Sequence, residues 1–273
     1  MKTVTIGPYK VGVKTPFTLL SGPCVIESRE HALETAEFLC TLAKKLGIQL
    51  VYKSSFDKAN RSSISSFRGP GLEEGLSILQ EVKNTFNVPV VSDIHLPEHA
   101  APAAEVLDIL QIPAFLSRQT DLLVAAGETG KPINVKKGQF LAPWDMQNIV
   151  DKLEASGNKN IILCDRGASF GYNNLVSDMR CIPIMQAMGY PVCFDASHSV
   201  QLPGGKGTSS GGQREFIPTL AKAALAAGAN LIFLESHPNP EKAKSDASSV
   251  FPFTDLENLL TELKGLYDYL NGL

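Results

Sequence analysis

Short apolar runs alternate with amphipathic stretches along nearly the whole chain. The runs fall at Phe17–Leu20, Leu50–Tyr52, Val88–Val91, Val106–Ile112, Ile133–Val135, Asn160–Leu163, Pro191–Phe194 and Asn230–Leu234. Brief continuous apolar runs of this kind mark strands covered on both faces. The fourth is ambiguous, because Val106–Leu110 can also continue the helix before it. Between the runs the apolar positions take helical spacing: Leu33, Ala36, Cys40 and Ala43 form one stripe, and Leu256, Leu259, Leu260 and Leu263 another. Thr254-Asp255-Leu256-Glu257 reads as a capping box opening the last helix, its hydroxyl and carboxylate satisfying orphan backbone donors. Eight strands, each followed by a helix with no linker-like break, predict an α/β chain folded as a single (β/α)8 barrel domain over residues 1–273. Residues 1–14 stand outside this rhythm: Val4–Ile6 and Lys10–Val13 flank Gly7-Pro8 and read as a hairpin closing the bottom of the barrel. A doubly wound open sheet is the alternative, but no GxGxxG follows the first strand.

Three connections are long and polar: Ser54–Gly71, Ala196–Gly212 and Ser236–Pro252. All come after strands, which puts them on the face where barrel active sites are built. Within the second, the glycine-rich stretch Pro203–Gly212 reads as a lid. The strand ends themselves carry chemistry. Cys24 lies just past the first strand, Lys53-Ser54-Ser55 ends the second, and Asp93, Gln111 and Lys136-Lys137 end the next three. Asp165-Arg166 ends the sixth, the seventh runs into His198, and Glu235 ends the eighth. Any one of these is an ordinary surface residue; a polar group at nearly every strand end is a site.

The formal balance is slightly acidic, 25 Lys+Arg against 28 Asp+Glu for a net charge of −3, which argues against a nucleic-acid binder. Yet Lys53, Lys58, Arg61, Lys136 and Arg166 gather at one rim, with Arg118 just beyond the fourth strand. Clustered cations in a low-dielectric mouth repel one another unless a multiply charged anion sits among them. Some are expected to pair with Asp57, Asp93 or Asp165, leaving the rest for ligand. No GxxxxGK[ST] loop is present, so ATP and GTP are poor candidates. A second set, Cys24, His198, Glu235 and Asp246, has the donors of a divalent metal site for Zn, Fe(II) or Mn, with His237 a competing ligand. The five scattered cysteines lack CxxC spacing, no apolar stretch is long enough to span a membrane, and the N-terminus lacks a signal-peptide core. These features fit a cytoplasmic protein with reduced thiols.

Several motifs are specific. Lys53-Ser54-Ser55-Phe56-Asp57-Lys58-Ala59-Asn60-Arg61-Ser62-Ser63, Arg68-Gly69-Pro70-Gly71, Arg118-Gln119-Thr120-Asp121, Asn134-Val135-Lys136-Lys137 and Phe170-Gly171-Tyr172-Asn173-Asn174 resemble the 3-deoxy-D-manno-octulosonate 8-phosphate synthase family. The likeness runs from about residue 17 to the last helix. It implies a (β/α)8 barrel that condenses phosphoenolpyruvate with arabinose 5-phosphate, releasing phosphate, on the route to Kdo and lipopolysaccharide. The sister family that accepts erythrose 4-phosphate typically carries a KPRTSP-like stretch where this chain has Lys58–Ser63. A barrel that only senses a sugar phosphate is the non-enzymatic alternative.

The resemblance further implies substrate-binding roles for Lys53, Ser55, Lys58, Asn60, Arg61, Ser62, Gln111, Arg118, Lys136, Gln139, Arg166 and His198. Lys53, Lys58, Asp93, Lys136, His198 and Asp246 are the implied catalytic groups. Lys136 and Arg166, helped by Lys53 and Gln111, are expected on phosphoenolpyruvate; Asn60, Arg61 and Ser62 are expected on the aldose phosphate. Arg118 is expected to come from a neighbouring subunit of a homotetramer. The family has metal-dependent and metal-independent branches, and Cys24 with His198, Glu235, Asp246 and Ser199–Gly205 resembles the former. Cys164-Asp165-Arg166 departs toward the other branch, away from any ligand position.

Overall fold

A computed structural model describes residues 1–205 and 211–273, so the centre of the stretch read as a lid lies outside the described residues. The strands are β1 (Thr18–Gly22), β2 (Gln49–Lys53), β3 (Val90–Asp93), β4 (Ile109–Ile112), β5 (Ile133–Lys136), β6 (Ile161–Asp165), β7 (Val192–Asp195) and β8 (Leu231–His237). The helices between and after them are α1 (Arg29–Leu46), α2 (Leu72–Phe86), α3 (Ala100–Val106), α4 (Thr120–Glu128), α5 (Met146–Ala155), α6 (Cys181–Gln186), α7 (Ile217–Ala226) and α8 (Phe253–Asn271). Each strand pairs in parallel with the next, and β8 pairs with β1 from Leu231↔Thr18 to Glu235↔Gly22, closing the barrel. Parallel neighbours need a crossover, and the helices supply it while covering the outer faces of the strands.

Alternation along the strands divides the apolar residues. Leu19, Leu50 and Tyr52 face the helices, whereas Leu20, Val51, Val91, Ile162 and Leu231 fill the interior. The hairpin Val4–Ile6/Tyr9–Val11 adds Val4, Ile6 and Val11 to that interior cluster, so it plugs the barrel. At the other end Gly22 permits a close approach: a Cβ there would lie 2.0 Å from the Lys53 carbonyl oxygen.

Two local expectations need correction. The fourth apolar run is divided: α3 ends at Val106, and β4 starts at Ile109. Leu107 is extended and its N–H closes the helix onto Ala103, while the Asp108 carboxylate accepts from Val90 N–H and Lys83 Nζ, each at 2.9 Å. The capping box does not form. Phe251–Pro252 extends the sheet by pairing with Ser236–His237, so α8 begins at Phe253 with Pro252 as its cap. The helix entry is set by that pairing and by Phe253 stacked on Phe38 at 4.2 Å.

The plug lies away from the strand ends that carry the polar groups, so it should govern stability alone. Ile6→Ala is expected to cost about 2–4 kcal/mol, measured as a lower urea midpoint, with activity of the folded fraction unchanged.

Candidate active site

The C-terminal strand ends surround a cavity of about 350 Å³, the size of a small-ligand site. Lys58, Asn60, Arg61 and Ser62 wall it from the β2–α2 connection; Asp93, Lys136, Gln139, Arg166, His198 and Gln201 line it from strand ends or just beyond, and Asp246 from the β8–α8 connection. Lys53, Ser55 and Gln111 lie beneath this wall. Ser55 Oγ and Gln111 Nε2 donate to the two oxygens of Asp93 at 2.6 and 2.7 Å, and Asn134 Nδ2 donates to Gln111 Oε1 at 2.8 Å. Arg118 is exposed and absent from the cavity wall; its backbone carbonyl accepts from Lys152 at 3.2 Å.

The cations at the floor take carboxylate partners other than those expected. Lys53, 1% exposed, donates to Glu235 Oε1 at 2.6 Å and to the Cys24 carbonyl at 2.8 Å. Lys136 donates to Asp195 Oδ2 at 2.6 Å and lies 3.7 Å from the centre of the Phe233 ring. Asp165 takes Lys137 at 3.4 Å, Asp57 takes Arg68, and Asp93 carries neutral donors. Arg166 is also buried: Nη2 donates to Gln201 Oε1 at 2.7 Å, while Nη1 has no hydrogen-bond partner among the described residues. Burial opposes the charge of Asp93, but Lys53, Lys58 and Lys136 outweigh it and hold the carboxyl well below its usual range. For Lys58 burial is likewise outweighed, by Cys24, Glu235 and Asp93, which hold the ammonium above the ordinary lysine value.

The other set also converges. Ligand atoms of Cys24, Glu235 and Asp246 all lie within 4.8 Å of one another. His198 Nε2 is 3.7 Å from Glu235 Oε2 and 3.9 Å from Asp246 Oδ2. Its Nδ1 lies 2.8 Å from Asp195 Oδ2, and its backbone N–H donates to Asp195 Oδ1 at 2.9 Å, so the turn after β7 aims the imidazole. Asp246 sits at φ 50°, a left-handed conformation that Asp tolerates, and Ser249 N–H donates to its carbonyl at 2.8 Å. Burial and Glu235 push the Cys24 thiol well above its usual range, whereas Lys58 and His198 overcome burial to bring Asp246 down to about 2. Glu235 Oε2 is buried without a hydrogen-bond partner among the described residues. An orphaned carboxylate oxygen beside a thiol, a second carboxylate and an oriented imidazole fits a divalent cation, which would favour the thiolate and relieve the anionic repulsion. His237 does not compete for this place: its ring lies 4.8 Å from that of His31 and its Nε2 lies 3.3 Å from Glu27 Oε1.

A family model described as the DAHP synthetase I family matches residues 3–271. The chain belongs to that family. Among its curated relatives, the 2-dehydro-3-deoxyphosphooctonate aldolase of Protochlamydia amoebophila is 60% identical over 99% of this chain and 98% of its own length. Proteins of the same name from Francisella tularensis subsp. holarctica and Trichlorobacter lovleyi are 59% and 60% identical, covering 96% and 97% of this chain and 95% and 97% of their own. This member of the DAHP synthetase I family also has site residues that sequence reading passed over. Asp195 ends β7 as Asp93 ends β3, and that shared position was the available signal. Gln201 lay inside the Ser199–Gly205 run, and Phe233 and Ser245 carried no signal.

The depressed Asp93 carboxyl gives an acid-stability prediction. Its contribution is fully present above the unfolded-state value of about 3.9 and is lost as pH falls toward its folded value. Asp93→Asn should therefore flatten the loss of denaturant stability below about pH 4, relative to the parent.

Proposed function

We infer that this chain condenses phosphoenolpyruvate with D-arabinose 5-phosphate and water, giving 3-deoxy-D-manno-octulosonate 8-phosphate and phosphate for Kdo and lipopolysaccharide synthesis. The observation that carries this reading is full-length likeness, at 60% identity, to a 2-dehydro-3-deoxyphosphooctonate aldolase. The cavity supports it physically. Phosphoenolpyruvate carries a charge of about −3, and removing it from water requires several converging charged donors. Lys136 and Arg166 reach the cavity, and the buried Arg166 Nη1 is a donor that no group among the described residues receives. These two would hold the phosphate and carboxylate, with Lys53 and Gln111 as supports fixing Glu235 and Asp93. Asn60, Arg61 and Ser62 line the same cavity and suit the aldose phosphate. Arg118 lies outside the cavity of its own chain, and we read it as serving a neighbouring subunit's cavity in a homotetramer that shares its sites.

Carbon–carbon bond formation joins C3 of phosphoenolpyruvate to the aldehyde carbon; water adds at C2, and phosphate leaves by cleavage of the C2–O bond. The enol is a weak nucleophile, so both carbons must be held in contact and positive charge at C2 must be offset. Asp93 and Asp246 stay ionised and face that region, and Lys58 stays charged to meet developing negative charge at the aldehyde oxygen. Cys24, His198, Glu235 and Asp246 would hold a divalent metal (Zn, Fe or Mn), placing the chain in the metal-dependent branch. Such a cation supplies Lewis acidity, orientation of the aldehyde or a more acidic water. We place this single catalytic domain in the cytoplasm; its five cysteines are all free thiols, and among the described residues no helix is long and apolar enough to cross a membrane.

Phosphate release should require phosphoenolpyruvate and arabinose 5-phosphate together, and erythrose 4-phosphate should not substitute. Equal release with the four-carbon sugar would favour the sister reaction. Arg166→Ala should lower kcat/KM for phosphoenolpyruvate by roughly 100-fold or more while circular dichroism stays native. A strong chelator should abolish turnover, restored by added Zn, Fe(II) or Mn. Cys24→Ala should lose bound metal and activity together, and Cys40→Ala should lose neither; full activity of rigorously metal-free protein is the contrary result.

A further inference from the structure

Ser245 lies next to the proposed ligand Asp246 and is 2% exposed. Its hydroxyl accepts from Arg61 Nη1 at 2.7 Å and donates to Asp246 Oδ2 at 3.3 Å. The Cys24 thiol lies 3.2 Å from the same hydroxyl and 3.1 Å from Asp246 Oδ2, either of which can take its one proton. The partners of Ser245 therefore belong to two different parts of the site. Arg61 comes from the β2–α2 connection that walls the aldose region; Cys24 and Asp246 belong to the metal cluster. Arg61 Nε is buried without a partner among the described residues, so anchoring Nη1 on Ser245 leaves a donor to offer an anion.

We propose that Ser245 is the positioning residue that couples the aldose-phosphate subsite to the metal cluster. The inference rests on the roles proposed for Arg61 and Cys24. Its physical basis is polarisation along a hydrogen-bond chain. The guanidinium on the hydroxyl oxygen makes the serine proton a better donor toward Asp246. Ser245 thus ties Arg61 and Asp246 into one hydrogen-bonded unit, and removal of either the hydroxyl or Arg61 alters the donors around Asp246.

The test is a cycle of Ser245→Ala, Arg61→Ala and the double variant, with steady-state kinetics and chelator competition for bound Zn²⁺. Ser245→Ala should raise KM for arabinose 5-phosphate about tenfold, with kcat reduced less and KM for phosphoenolpyruvate within about twofold, and should release zinc at about tenfold lower chelator concentration. In the Arg61→Ala background the same substitution should leave KM for the aldose almost unchanged. An equal rise in both backgrounds, or no rise in either, overturns the coupling and leaves Ser245 a packing residue. Zinc retention needs no turnover, so equal retention by parent and Ser245→Ala also overturns it, even were the assigned reaction wrong. An unchanged KM for phosphoenolpyruvate and a native circular dichroism spectrum show that the variant folds.

Discussion

The ion pair between Lys136 and Asp195 sits where water cannot help it. Both groups are buried, and Asp195 also fixes His198 through its ring nitrogen and its backbone N–H. Such a pair gains little net stability over an apolar replacement, yet losing one partner strands a buried charge at a cost of about 3–5 kcal/mol. Its value lies in position. Lys53 and Glu235 repeat the arrangement beside the same Phe233, whose ring centre lies 3.7 Å from the Lys136 ammonium and 5.5 Å from that of Lys53. Two cations, an imidazole and a carboxylate are thus set in place before any ligand arrives. Preorganisation of this kind spares the reorganisation that flexible charges would need.

Much of this was readable in the chain. Strand ends are the one place in a parallel barrel where polar groups can collect, so residues just past the apolar runs, among them Asp93, Lys136, Arg166 and His198, form part of the cavity wall, and the long connections supply the rest. Arg166 and His198 were found in that way, and the long connection carrying Asn60, Arg61 and Ser62 came from the same reading. What could not be read was pairing. Lys53 and Glu235 are separated by 182 positions and Lys136 and Asp195 by 59, and only closure of the barrel makes them partners. The capping box failed for a related reason: a tertiary pairing of Phe251–Pro252 with β8 decided where α8 starts. Arg118 remains outside the cavity of its own chain, and a single sequence has no means of showing a second copy.

The molecule separates its tasks along the barrel axis. The plugged end is apolar, with Val4, Ile6 and Val11 sealing the interior, and the open end is a net of charged and hydrogen-bonded groups. Buried charges weaken a fold unless a large apolar body supports them. The continuous apolar interior and the layer between strands and helices provide that support. The open end can therefore hold unpartnered polar atoms such as Arg166 Nη1 and Glu235 Oε2 without unfolding the strands that carry them.

Closure of β8 onto β1 also imposes an order on synthesis. The Ser21 hydroxyl donates to the Leu234 carbonyl at 2.6 Å across 213 positions of sequence. The plug and β1 leave the ribosome well before the strand that completes their surroundings, which follows 213 positions later. Until then β1 keeps an open hydrogen-bonding edge and the hairpin has no finished interior to seal. Contacts so distant in sequence slow the final step and leave the growing chain exposed to wrong pairing. A nascent barrel of this topology consequently keeps an unpaired strand edge until β8 has emerged to close it.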